Sequence, residues 1–157
     1  MVWVDAHSDI NTVSSSSSGN MHGMPVSFNI PQLREEVSQG DLSWLVPRLE
    51  PSRLVYIGLR DVESQERREL ERLNIPAYYM SDIDRMGVRA AVEEGLHRID
   101  STASRKIHLS FDIDALDPSE ARATGTPVRY GDGYLGKVIF SHSLLNSIFI
   151  LLYPNLF

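Results

Sequence analysis

The chain has no cysteine among its 157 residues. This absence excludes disulfides, thiolate zinc sites and cysteine nucleophiles, and it is typical of a reducing compartment. Any metal must therefore be held by oxygen and imidazole ligands. Positive charge is also scarce, since 15 basic residues stand against 21 acidic ones and the formal net charge is −6. Because no basic surface is available for phosphates, nucleic acid is excluded as a partner.

The remaining composition is that of a globular protein. Hydrophobic residues make up 42% of the chain and charged residues 23%, and both values are close to the average for packed domains. A chain of this length can bury a hydrophobic core without disulfides or other covalent cross-links. We therefore expect one packed domain.

The two ends of the chain are unusual. The N-terminus lacks the basic and apolar regions of a secretory signal, and Val2–Val4 predicts a buried strand that we expect further upstream sequence to cover. After Lys137 no residue carries a formal charge. A membrane-spanning helix needs ~20 predominantly apolar residues, and polar residues such as Ser141 and Asn146 interrupt this stretch. We expect a buried strand or a loose tail there and no membrane anchor.

Strand and helix patterns alternate along the middle of the chain. Apolar runs at Val2–Val4, Leu54–Leu59 and Ile107–Phe111 predict buried strands, and the spacing of apolar residues predicts helices over Ser64–Asn74 and Ser81–Ile99. This alternation is typical of an α/β fold with a parallel sheet. Ligands bind beyond the carboxyl ends of such strands, where Asp5, Asp61 and Asp112 are found. Residues 25–39 predict a loop that enters a short helix, and the serine run 14–18 alone resembles a flexible linker.

Two acidic motifs follow the first and third predicted strands. Asp5, His7 and Asp9 occupy alternate positions, as do Asp112 and Asp114, and alternate residues of an extended chain point to one face. Neighbouring carboxylates repel one another and resist desolvation unless cations neutralise them. Either motif alone is more often a turn or a solvated strand end, but the two together favour a divalent metal, with manganese preferred to zinc. The number of carboxylates suffices to bridge two ions that activate a water.

Five segments in order closely resemble the arginase branch of the ureohydrolase family. They are Trp3–Asn11, Ser18–Val26, Ile57–Asp61, Ser110–Pro118 and Ala123–Val128. The resemblance implies a three-layer αβα fold with a mostly parallel sheet, incomplete at both ends of this chain. It further divides the chain into the central part of a ureohydrolase domain, residues 1–130, and a divergent apolar tail, residues 131–157.

The activity that the resemblance implies is hydrolysis of L-arginine to L-ornithine and urea with two manganese ions. By matching motifs, Asp5, His7, Asp112 and Asp114 would hold one ion, while Asp5, Asp9 and Asp112 would contribute to the other. The guanidinium carbon is a poor electrophile, so hydrolysis at neutral pH needs a metal-activated water.

The resemblance also assigns catalytic and substrate-binding roles. His22 would move protons toward the departing amine, and Asp9 is counted with it as catalytic. The residues matched to substrate binding are Asn11, Ser16 and Ser18 for the α-carboxylate, Glu63 and Glu66 near the α-amino group, and Thr126 at the border of the site. Glu63 stands where the family has an aspartate. Donors built for an α-carboxylate favour L-arginine over agmatine, which lacks that group.

The chain departs from the family pattern at both ends. The family has an upstream Gly-Gly-Asp-His segment whose histidine completes one metal site, and none of His97, His108 or His142 replaces it by motif. The family also has a downstream glutamate that binds the guanidinium, whereas no acidic residue follows Asp132 here. We therefore expect weak manganese binding and little turnover from this chain.

Three other interpretations remain open. One is a catalytically dead ureohydrolase-like protein that associates with a complete arginase subunit, and another is a different ureohydrolase such as an agmatinase. The third is a dinucleotide-binding loop, since residues 131–136 fit G-x-G-x-x-G, but no acidic residue follows them. We expect a homo-oligomer, as the family commonly forms, and a cytoplasmic location with the mitochondrion as the alternative.

Overall fold

The structure, a computed structural model, describes residues 1–36 and 44–129. These residues form one sheet of four parallel strands in the order β3-β2-β1-β4. The strands are β1 (Val2–Val4), β2 (Val55–Leu59), β3 (Ala77–Tyr79) and β4 (Leu109–Phe111). The predicted parallel α/β architecture is confirmed, and β3 is a strand that the hydrophobic pattern did not reveal.

Three α-helices connect the strands: α1 (Ser64–Arg72), α2 (Met80–Met86) and α3 (Val88–Ile99). The prediction of a single helix over Ser81–Ile99 is wrong, because Gly87 adopts a φ of 85° between α2 and α3. This backbone conformation is open to glycine and interrupts an α-helix. Elsewhere the described chain turns through short 3₁₀ segments, which are Met21–Gly23, Ser27–Asn29, Pro31–Glu36, Pro51–Arg53 and Ile113–Ala115.

The register of the sheet sets where the site lies. Val2 is opposite Val55 on one side and Leu109 on the other, so β1 is the central strand between β2 and β4. The carboxyl ends of these strands meet at one edge of the sheet, which is the edge where ligands bind in parallel α/β folds. The polar residues that follow β1 and β4 are thereby brought together.

Side chains alternate between two cores, one on each face of the sheet. Val2, Val4, Val55 and Ile57 face a cluster that includes residues of α2 and α3, and we call this the helical face. On the other face, which we call the irregular face, α1 and the segment 10–33 supply the cover. The members of this second cluster are Ile10, Val26, Ile30, Leu33, Leu54, Tyr56, Leu59, Leu70 and Ile75. The sheet thus has a layer on each face, as the predicted three-layer αβα fold requires.

Part of the sequence lies outside the described residues. The predicted tail 131–157, the glycine-rich run 131–136 and the end of the loop at 37–39 all belong to it. Among the residues that the structure describes, none of the helices is long and apolar enough to cross a membrane.

Candidate metal and substrate site

Both acidic motifs form tight turns at strand ends. The Asp5 Oδ1 atom accepts a hydrogen bond of 2.7 Å from the backbone N–H of His7, and Asp112 Oδ1 accepts one of 2.9 Å from the N–H of Asp114. Aspartate commonly bonds the backbone two residues further on in this way. The expectation that an extended chain aligns these alternate residues is therefore wrong, since the chain bends at Asp5 and enters a 3₁₀ turn after Asp112.

The two turns bring three potential ligands together. Ligand atoms of Asp5, His7 and Asp114 all lie within 4.8 Å of one another. His7 Nδ1 is 3.0 Å from Asp114 Oδ2 and 3.5 Å from Asp5 Oδ1, while the N–H of Ala6 donates to Asp114 Oδ1 at 3.2 Å. Because β1 and β4 are paired, this cluster joins the ends of two neighbouring strands.

Burial and mutual contact perturb the acids and bases of this cluster. Burial raises the pKa of Asp5 to about 6, and burial together with the charge of Asp5 raises the pKa of Asp9 to about 7. Hydrogen bonds to Asp114 and Asp5 raise the pKa of His7 to about 10. Burial also raises the pKa of Asp114, but hydrogen bonds from His7 and Thr126 outweigh this effect and lower the pKa to about 2. The imidazolium form of His7 is thus stabilised by the carboxylates around it.

This donor set fits a divalent cation. Asp5 and Asp114 are almost fully buried, and burial together with the charges of Asp5, Glu66 and Asp114 raises the pKa of Asp9 although His7 lowers it. A divalent cation would offset this excess of negative charge, and the arrangement of carboxylate oxygens with one imidazole suits manganese. Asp9 and Asp112 border the same cavity without belonging to the tight three-residue cluster.

The cluster forms the floor of a cavity of about 490 Å³. The residues that the sequence predicted as metal-binding, catalytic or substrate-binding all line it, and they are Asp5, His7, Asp9, Asn11, Ser16, Ser18, His22, Glu63, Glu66, Asp112, Asp114 and Thr126. Segments separated by more than 100 residues thus converge on one space. Their individual roles stay predictions.

The serine run is an ordered wall of the cavity. Ser15 Oγ donates to Asn11 Oδ1 at 2.8 Å and accepts from the N–H of Thr12 at 2.8 Å. Further along, Ser16 Oγ accepts from Gly19 N–H and Ser18 Oγ accepts from Asn20 N–H. These local bonds fold the segment 11–20 into successive turns.

Glu66 connects the cavity to helix α1. Its side chain is only 5% exposed, with Oε1 accepting from the N–H of Ile10 at 3.2 Å and Oε2 accepting from the N–H of Glu63 at 3.0 Å. A buried carboxylate with two backbone donors is well placed to hold the chain after Asp9 against the start of α1. Glu63 itself is exposed at the rim.

Several residues of the site have no role predicted from the sequence. Asn20 and Asp61 line the cavity, and Asp61 Oδ2 is 3.6 Å from His7 Nε2. The sequence pattern could have indicated both residues, since Asn20 lies between Ser18 and His22, and Asp61 follows a predicted strand. Trp3 Nε1 donates to Asp5 Oδ2 at 3.0 Å, and a tryptophan within an apolar strand carries no sequence signal for such a bond.

Comparison with known proteins identifies related chains. The model of the Arginase family matches residues 1–135. Arginase-2, mitochondrial, of Rattus norvegicus is 47% identical over 154 residues, which cover 94% of this chain and 44% of the relative. The crystal structure of the Bacillus subtilis arginase has a TM-score of 0.72 and 36% identity, over 94% of this chain and 50% of that one.

A third similar protein was solved with a small molecule bound. It is the arginase of Entamoeba histolytica in complex with L-ornithine, which has a TM-score of 0.73 and 30% identity over 94% of this chain and 47% of that one. The present chain thus spans about half the length of the relatives that it matches.

Proposed function

This chain belongs to the arginase family, and on that premise we propose that its cavity serves the manganese-dependent hydrolysis of L-arginine to L-ornithine and urea. The observation that carries the proposal is the convergence of the carboxylate–histidine cluster and the polar serine wall on one cavity. The ornithine complex of the Entamoeba relative supports the same substrate class.

In the proposed site, Asp5, His7, Asp112 and Asp114 would hold one manganese ion. Asp5, Asp9 and Asp112 would contribute ligands to a second ion. Manganese, when bound, supplies Lewis-acid chemistry that activates water as a nucleophile at neutral pH. The turns at Asp5 and Asp112 support this assignment, because they fix the carboxylates through backbone hydrogen bonds.

The remaining residues bind the substrate and move protons. We assign the substrate α-carboxylate to Asn11, Ser16 and Ser18, which line the cavity together. His22 is exposed at the cavity and is suited to protonating the departing amine. Glu63, Glu66 and Thr126 complete the wall, with Glu66 acting through the segment that it anchors and Glu63 facing the α-amino group.

The proposal predicts which guanidino compound is hydrolysed. Donors that face an α-carboxylate are left without a partner when agmatine binds, so urea release should be faster from L-arginine than from agmatine. The test compares both compounds with the purified full chain, with and without added Mn²⁺, and with Asp112→Ala as the matched inactive variant. Manganese-dependent urea release from L-arginine that Asp112→Ala abolishes is the expected result, at a low rate because the chain covers half of its relatives' length.

Two other results would replace this proposal. Faster urea release from agmatine would favour an agmatinase. Manganese binding without any turnover would favour a ureohydrolase-like protein that acts by associating with a complete arginase subunit, and size-exclusion chromatography with such a subunit would then show co-elution. For the intact protein we propose a homo-oligomer and a cytoplasmic location, with the mitochondrion as the alternative that the name of the rat relative suggests.

A further inference from the structure

Arg60 follows strand β2 and reaches across the end of the sheet toward the metal-binding turn. The register between β2 and β3 shifts around Gly58, which has a φ of 97°, and a bulge of this kind redirects the side chains that follow it. The side chain of Arg60 is partly buried there and donates to the carbonyl oxygen of Gly58 at 3.4 Å.

The guanidinium of Arg60 also bonds main-chain carbonyls of two other segments. Nη2 donates to the carbonyl of Asp114 at 2.6 Å and to that of Val128 at 2.9 Å. Nη1 donates to the carbonyl of Ala115 at 3.2 Å, and Nη2 approaches that of Leu116 at 3.3 Å. The five N–H donors of arginine form a rigid planar fork that suits this cross-linking.

The two segments that Arg60 joins both hold the carboxylate of Asp114. One is the 3₁₀ turn that carries Asp114 itself. The other contains Thr126, whose Oγ1 donates to Asp114 Oδ2 at 2.7 Å, two residues before the carbonyl of Val128. Arg60 thus links the end of β2 to the backbone of Asp114 and to the segment whose Thr126 donates to the Asp114 carboxylate.

We propose that Arg60 is a positioning residue, which fixes Asp114 and Thr126 in the geometry that binds manganese without contacting metal or substrate. This inference rests on the proposed function, since it takes Asp114 as a manganese ligand. Partners that orient metal ligands commonly change metal affinity by about 10–100-fold when they are removed. A lysine keeps the charge of Arg60 but has a single nitrogen, so it cannot serve three segments at once.

The experiment measures the Mn²⁺ dissociation constant of the full chain by isothermal titration calorimetry, together with the melting temperature of the metal-free protein. We expect Arg60→Lys to weaken Mn²⁺ binding by about tenfold or more, as for other residues that orient ligands. Arg67→Lys is the matched control, because Arg67 lines a neighbouring cavity together with Arg60 but lies over the ring of Tyr79 at 4.5 Å. The Mn²⁺ affinity of this variant should equal that of the wild type.

A second variant covers the case in which Arg60→Lys does not fold. Thr126→Val removes the hydroxyl that reaches Asp114, and it should weaken Mn²⁺ binding in the same direction. In the double variant the two losses should be less than additive, because both act through Asp114. A purely structural role would lower the melting temperature alone and would leave the affinity of the folded protein unchanged.

The outcomes separate this inference from the proposed function. If the wild type binds Mn²⁺ and folded Arg60→Lys binds it within twofold as tightly, the positioning role is overturned while the proposed function stands. Unchanged affinity in Thr126→Val overturns it as well if Arg60→Lys is unfolded. If the wild type itself does not bind Mn²⁺, both the proposed function and the inference are overturned.

Discussion

The two faces of the sheet are covered by different kinds of structure. On the helical face, α2 and α3 pack regular apolar stripes against Val2, Val4, Val55 and Ile57. On the irregular face, much of the cover comes from the segment 10–33, which contains turns and short 3₁₀ pieces but no α-helix. Both cores are equally buried at their centres, since Ile57 and Ile30 are each 0% exposed.

The difference between the faces is in how their backbone polar groups are satisfied. Helices bond their own carbonyls, whereas an irregular buried segment needs other partners. On the irregular face some of these partners are backbone groups of other turns and others are side chains. Ser27 Oγ lies 2.7 Å from the carbonyl oxygen of Asn11 and 2.8 Å from that of Met24, so that its one proton is shared between them, and the Tyr56 hydroxyl donates to the carbonyl of Ser8. The same segment supplies Asn11, Ser16, Ser18 and His22 to the cavity. The less regular layer therefore supplies several of the residues that line the cavity.

Large-to-small substitutions on the two faces should sharpen this contrast. We expect Ile57→Ala to lower the free energy of unfolding by about 4 kcal/mol and Ile30→Ala by about 2–3 kcal/mol. The side chains are identical and equally buried, but turns can collapse into the vacated space more readily than helices packed on a sheet. Urea unfolding followed by circular dichroism measures both values. Equal losses would show that the irregular face is packed as rigidly as the helical one.

Removing the Tyr56 hydroxyl should weaken the hydrogen bonding that stabilises the irregular face. Tyr56→Phe keeps the ring in the core but leaves the Ser8 carbonyl without its 2.7 Å donor. A buried acceptor that loses its partner costs about 1–2 kcal/mol, and the same unfolding measurement detects it. Since Ser8 lies between His7 and Asp9, the affinity for Mn²⁺ should also fall. A change below the experimental error in both quantities would contradict the role given to side-chain donors on this face.

Adding one methyl group should test the close packing of the helical face. A Cβ at Gly95 in α3 would lie 2.9 Å from Val55 Cγ2 and 3.3 Å from Tyr78 Cε2. Gly95→Ala should therefore destabilise the protein by about 1 kcal/mol, because the overpacking penalty exceeds the gain in helix propensity.

The matched control is Gly23→Ala on the irregular side, where an added Cβ meets no atom within 4 Å. We expect its melting temperature to stay within error of the wild type. If Gly95→Ala raises the melting temperature instead, α3 has more freedom to move away from β2 than the distances indicate.

The helical face was the easier one to predict from sequence. Continuous apolar runs located β1 and β2, and the spacing of Ile83, Leu96 and Ile99 located the helices, although a glycine with positive φ divided the predicted helix in two. The prediction missed strand β3 (Ala77–Tyr79), which has three residues as β1 and β4 do but contains no valine, leucine or isoleucine. On the irregular face, side-chain bonds between distant residues such as Tyr56 and Ser8 hold the structure, and no local pattern encodes them.

The candidate site was predictable in its residues but not in its geometry. The sequence motifs identified the carboxylates, His7, and Ser16 and Ser18 of the serine run. The structure brings all of these residues to one cavity. The turn at Asp5, the tie from Glu66 to Ile10 and the cross-link made by Arg60 depend on the order of strands in the sheet. Such contacts follow from tertiary structure and are not readable from spacing along the chain.

The position of β1 has a consequence for the order in which the protein can assemble. The first strand of the described chain is central, and its partners begin at Val55 and Leu109. Its edges therefore stay open until more than 50 and then more than 100 further residues have been synthesised. Pairing between strands so distant in sequence is intrinsically slow, because long loops must close first. Asp5 and His7 are synthesised more than 100 residues before Asp114, which completes their cluster.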